Sequence, residues 1–151
     1  MSASLPTIFA NGSGVLLVID SANRLYVYST TNYGSPWSGP RRVALPSLQA
    51  TGQVCRRMPQ KTWIADARHW WVQYVVANGK VISTLLFTTA DAGQHWTSLP
   101  SSPLIGDVVF ASPAIGWVVN VDYWSSNKRL ARTTDAGAHW TTLALPPAVD
   151  S

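Results

Sequence analysis

The chain contains no glutamate; its seven acidic residues are all aspartate. Helix-rich domains lean on Glu, so its absence beside abundant Thr, Val, Trp and Tyr points to strands. Charge of either sign is scarce, at 12% of the residues, about half the usual quarter. With eight Trp among 151 residues, that scarcity describes a packed chain and not a disordered one. A single cysteine, Cys55, excludes an internal disulfide and a cysteine metal cage. No stretch approaches the roughly eighteen apolar residues of a membrane span. The start, "MSASLPTIFANGSG", lacks the charged and apolar regions of a signal peptide. As written, the sequence belongs to the cytoplasm; a segment cut from a longer secreted precursor would read the same.

What charge there is sums to +4, from eight Arg and three Lys. Nucleic-acid binding calls for cations gathered on one face. The only adjacent arginine pairs are Arg41–Arg42 and Arg56–Arg57, too little clustering to favour a nucleic-acid partner. The length suits one domain that buries roughly 68–70% of the surface its unfolded chain exposes.

The sequence does contain a turn written more than once. "TTADAGQHWT" recurs forty-four positions later as "RTTDAGAHWT". The shared pattern is Thr-x-Asp-x-Gly-x-x-Trp, carried by Thr89, Asp91, Gly93 and Trp96, then by Thr133, Asp135, Gly137 and Trp140. A third copy, "TTNYGSPW", places Thr30, Asn32, Gly34 and Trp37 in the same pattern, with Asn in place of Asp. Upstream of the motifs, Phe9, Trp63 and Phe110 line up as anchors, followed by Val15, Trp71 and Trp117. The anchors lie 54 and 47 residues apart, near the roughly 40–50-residue period of propeller blades. The longer first interval fits a loop, "PSLQATGQVCRRMP".

Each unit parses into four short strands: one ending at the anchor, an apolar run, an alternating run such as Arg24 to Tyr28, and one following the motif Trp. No segment holds a 3.6-residue apolar period between helix caps. The expected fold is all-β: a β-propeller of four-stranded antiparallel blades, three per chain, at about 4–46, 57–101 and 104–146 within a single domain of 1–151. In the repeated turn, Thr and Asp side chains accept backbone N–H bonds, Gly supplies positive φ, and Trp covers the hairpin.

These residues resemble the Asp-box, or BNR, repeat of sialidase-like and sortilin-like β-propellers. With the lead-in Phe110, Gly116, Trp117, the units are most similar to the propeller family containing photosystem II assembly factors. The resemblance implies a structural role on the outer rim for the repeated Asp residues. His95 and His139 stand four residues after Asp91 and Asp135; in a hairpin that spacing does not argue for metal, and no metal or cofactor is expected.

Sialidase chemistry needs an arginine cluster, an Asp acid/base and a Tyr nucleophile activated by Glu, and a chain without Glu cannot supply that couple. Gly-x-Ser-x-Gly and phosphate-binding Gly-rich loops are also absent. The expectation is therefore not an enzyme but a recognition or assembly module for a protein or other macromolecular partner. The alternatives are a glycan-binding propeller lectin, or a piece of a larger propeller such as an accessory part of a secreted glycoside hydrolase. Strand parity puts candidate ligand residues on the side opposite the repeated turns: Arg24, Arg56, Arg57, Tyr74, Asn78, Tyr123, Trp124 and Lys128. Propellers close with about four to eight blades, so three expose two apolar faces. A second copy about a two-fold axis would make a six-bladed ring.

Overall fold

Alternation buries one face of runs such as Leu25–Thr30 and Gly106–Phe110, whereas positions 70–75 are buried on both faces. The computed structural model describes residues 2–46, 53–54, 61–78, 81–100, 104, 106–120 and 129–144. The strands are β1 (Ser2–Ala3), β2 (Thr7–Ile8), β3 (Gly14–Ile19), β4 (Leu25–Thr30) and β5 (Ser38–Val43) in the first sheet. The second holds β6 (Gln53–Val54), β7 (Lys61–Ile64), β8 (Trp70–Asn78), β9 (Val81–Thr89) and β10 (Thr97–Leu99). The third holds β11 (Gly106–Phe110), β12 (Gly116–Asn120), β13 (Leu130–Thr133) and β14 (Thr141–Leu143). All pairings are antiparallel, and no helix occurs among the described residues.

Each sheet is a four-stranded meander, with the first strand of two sheets broken in two. β1 and β2 both pair with β3, and β6 and β7 both pair with β8. Gln53 and Val54 thus correct the reading of "PSLQATGQVCRRMP" as loop throughout: they extend the second sheet opposite Ala77 and Val76. The anchors also shift. Cross-strand partners Ile8↔Gly14, Ile64↔Trp70 and Phe110↔Gly116 make Ile8, Ile64 and Phe110 equivalent, so Phe9 and Trp63 are each one residue out of step. Aromatic bulk was a poor guide because neighbouring strand positions point to opposite faces. Val15, Trp71 and Trp117 are equivalent as expected.

The sheets stack in chain order. Val15, Leu17, Ile19, Leu25 and Val27 of the first pack with Trp70, Val72, Tyr74, Phe87 and Trp96 of the second. The other face of the second sheet, through Trp71 and Leu86, packs with Val108, Phe110, Val118 and Ala131 of the third. Trp71 lies flat on Phe110, centroids 4.0 Å apart and planes 14° apart. Polar contacts cross the same seams. Arg41 donates to the carbonyls of Gly93 (3.0 Å) and Ala92 (3.3 Å). Trp63 Nε1 reaches Phe110 O at 2.6 Å, and Gln73 Nε2 reaches Gly106 O at 2.7 Å. Lys61 pairs with Asp107.

Candidate functional site

The two ends of the stack differ chemically. At one end lie the three repeated turns, each held by the connection between the first two strands of its own sheet. Tyr33, Ala92 and Ala136 follow the Asn or Asp of the motif, and their N–H groups donate to Gly12 O (2.7 Å), Arg68 O (3.1 Å) and Ala114 O (2.9 Å). All three have positive φ, at 50°, 60° and 62°. Thr is the hub. Thr89 Oγ1 accepts from Gly93 N at 3.0 Å and donates to Asp91 Oδ1 at 2.8 Å. Thr133 repeats this with Gly137 at 2.9 Å and Asp135 at 2.8 Å. Both hubs are buried, so these bonds are shielded from water.

The aspartates complete the turn. Asp91 Oδ1 accepts from the N–H groups of Gln94 (3.0 Å) and His95 (2.9 Å), and Asp135 Oδ1 from that of His139 (2.8 Å). Their Oδ2 atoms hold the His95 and His139 Nδ1 atoms, each at 2.6 Å. The first copy explains its own departure. Four residues after Asn32 stands Pro36, which has no N–H to offer a carboxylate. Thr30 still accepts from Asn32 N and Gly34 N, each at 3.2 Å, while the Asn32 side chain makes no hydrogen bond among the described residues. Trp96 donates to Gly93 O at 3.2 Å, whereas the buried Trp140 indole N–H has no partner among the described residues. A further pair, Asp66 with His69 at 2.8 Å, lies on the neighbouring connection.

The backbone N–H of His95, its imidazole and the Thr89 hydroxyl hold the Asp91 carboxyl well below the usual carboxylate range. The His139 N–H, its imidazole and the Thr133 hydroxyl lower Asp135 to about 2. Folded-state values below the unfolded value stabilise the fold above that value, and this contribution disappears as pH falls through the folded one. The thermal midpoint should therefore be flat above pH ~4 from this source and fall between pH ~4 and ~2. A double Asp91→Asn, Asp135→Asn variant should start lower and lose much of that slope; an unchanged slope would place the acid sensitivity elsewhere.

At the opposite end, Asp20 closes the connection between β3 and β4. It accepts from the N–H groups of Ala22 (2.8 Å) and Arg24 (2.9 Å) and pairs with the Arg24 guanidinium at 2.6 Å. The Arg24 backbone N–H leads the interactions that lower the Asp20 carboxyl, overcoming its burial. Arg24 is thus at the expected end, about half exposed but already committed to Asp20. Tyr74 is a correction. Expected among the ligand residues on the side opposite the repeated turns, it sits inside β8 at 0% exposure, because β8 runs unbroken to Asn78. Its hydroxyl donates to Asn23 O at 3.3 Å, tying the first two sheets together. Burial and the Asp20 charge push that hydroxyl above the ordinary tyrosine range, so it remains a donor. Asn78 ends β8 and pairs with Val81 at the same end of the stack. Arg56, Arg57, Tyr123, Trp124 and Lys128 lie outside the described residues; β6 and β7 flank the first two, and β12 and β13 flank the others.

Sequence reasoning missed the cross-sheet donors Arg41, Trp63 and Gln73, which have no local signature. Among the described residues, no three His, Cys, Asp or Glu side chains gather as a metal site.

No protein-family model and no curated protein matches the chain. Among solved structures it is similar to YCF48 bound to a D1 peptide, with a TM-score of 0.51 and 16% identity. The match covers 94% of this chain and 39% of that one, so the present sequence spans about two fifths of its neighbour's length. The neighbour is a β-propeller, and the three antiparallel sheets are blades of that fold.

Proposed function

We propose that this chain is a non-catalytic propeller module that recognises a protein segment at the end opposite its repeated Asp-box turns, and that two copies form the working ring. The observation that carries the reading is the shared fold with a propeller bound to a peptide. The chemistry of the two ends supports it. At the repeated-turn end the aspartates are consumed by internal bonds, which suits a structural rim. The sequence supplies Tyr123 and Trp124 beside Lys128 in the stretch between β12 and β13, and Arg56 and Arg57 in the stretch between β6 and β7. Flat aromatic groups among cations favour an extended segment carrying carboxylates. The lack of Glu supports the absence of sialidase-type catalysis.

An array of acidic and neutral peptides, probed beside a glycan array with the purified chain, tests this. The expected result is selective capture of acidic peptides, weakened at least tenfold by Trp124→Ala and by the Arg56→Ala, Arg57→Ala pair. Capture of glycans alone, lost on Trp124→Ala, would replace this reading with a lectin. Binding that ignores all three positions would move the site elsewhere.

A further inference from the structure

The seam between the second and third blades is a template for the faces that the stack leaves open. At that seam Trp71 stacks on Phe110 and gives its indole N–H to Ala136 O at 3.2 Å. By cross-strand register Trp117 occupies the Trp71 position one blade on. No blade follows it in the described chain. Trp117 is only partly buried and its N–H has no hydrogen-bond partner among the described residues. On its face, Val109 and Val119 are 41% and 44% exposed.

The matching half of the template stands at the other end of the same chain. Ile8 holds the Phe110 position and is 40% exposed. Leu16 holds the Val72 and Val118 position; those two valines are fully buried by a preceding blade, whereas Leu16 is half-covered. Tyr33 corresponds to Ala136, also in the left-handed region, and its carbonyl accepts no hydrogen bond among the described residues. Each chain thus carries both halves of one more blade seam, displaced to its two ends.

We infer that the occupant of both faces is a second copy of this chain, with Trp117 of one copy stacked on Ile8 of the other and its indole N–H donated to the Tyr33 carbonyl. A two-fold axis makes the contact twice and completes six blades. The inference rests on the ring reading proposed above and specifies the contact that closes it. It is continuous with the seams inside the chain, which use the same positions.

Light scattering on the peptide-free chain should give about twice the 16.4 kDa chain mass. Trp117→Asp and Ile8→Asp should each give a folded monomer, because each spoils one half of both identical contacts. Mixing the two variants should restore the dimer, since one of its two seams is then wild type on both sides. Misfolding of either variant could not be rescued in this way. A monomeric wild-type chain overturns the ring and the contact together. A dimer that survives both single substitutions, or monomers that fail to complement, overturns the contact while leaving the ring reading standing.

Discussion

Replacing Trp71 by alanine lowers stability by about 3 to 5 kcal/mol, the usual cost of removing a large buried aromatic side chain. The residue is 2% exposed, stacks on Phe110 and supplies the donor to Ala136 O. Its loss leaves a cavity in the second seam and a carbonyl without that donor. For a domain of this size the thermal midpoint should fall by roughly 6 to 20 °C. Trp71→Phe separates the contributions. It keeps one aromatic ring for the stack and drops the N–H together with part of the indole's volume, so it should cost about 1 to 3 kcal/mol. Equal losses for the two variants would mean that the N–H and the rest of the indole's second ring, and not the stack that phenylalanine retains, dominate the seam. A loss below about 1 kcal/mol for alanine would be incompatible with a core residue at this position.

Gly93→Ala is the second large effect, at about 2 to 5 kcal/mol. A left-handed conformation costs a non-glycine residue roughly 1 to 2 kcal/mol. Overpacking adds about 1 to 3 kcal/mol. Gly93 has a φ of +77°, and a Cβ there would stand 2.7 Å from the Trp70 ring and 3.3 Å from the Arg41 guanidinium. Gly34 is the internal control. Its φ is +91°, but the nearest atom to a new Cβ is in its own Trp37 at 3.5 Å. Gly34→Ala should therefore show only the conformational part, about 1 to 2 kcal/mol. Equal losses at the two sites, measured by urea unfolding, would show that Trp70 gives way and that the preceding blade does not confine the turn.

The comparison between these two glycines also shows where a sequence is informative. Thr-x-Asp-x-Gly-x-x-Trp is a local motif whose bonds run between residues at most four apart, as from Thr89 to Gly93 or Asp91 to His95. Local bonds leave local spacing, so the turn, its three copies and the all-β class could be read directly. Even the weak copy was legible in part: Asn32 was visible as a departure, and Pro36 in the same line of text explains it once the His95 N–H is seen to matter. The equivalence of Trp71 with Val15 and Trp117 was legible because each stands at the start of the apolar run of its repeat. Tyr74 was misplaced because a nine-residue strand looks no different from a shorter one followed by a loop until its partner strand fixes its length.

The sequence by itself determined the strand class, the number of repeats and the chemistry of the turn, since all three depend on contacts within one hairpin. The tertiary structure decided which tryptophan faces which neighbour, that Arg41 caps the next blade's turn, that Tyr74 is interior, and which faces are left open. Those outcomes depend on the parity of long-range strand pairing and on the stacking of one sheet on the next. Residues 52 or 65 apart in the chain, such as Arg41 and Gly93 or Trp71 and Ala136, meet only there.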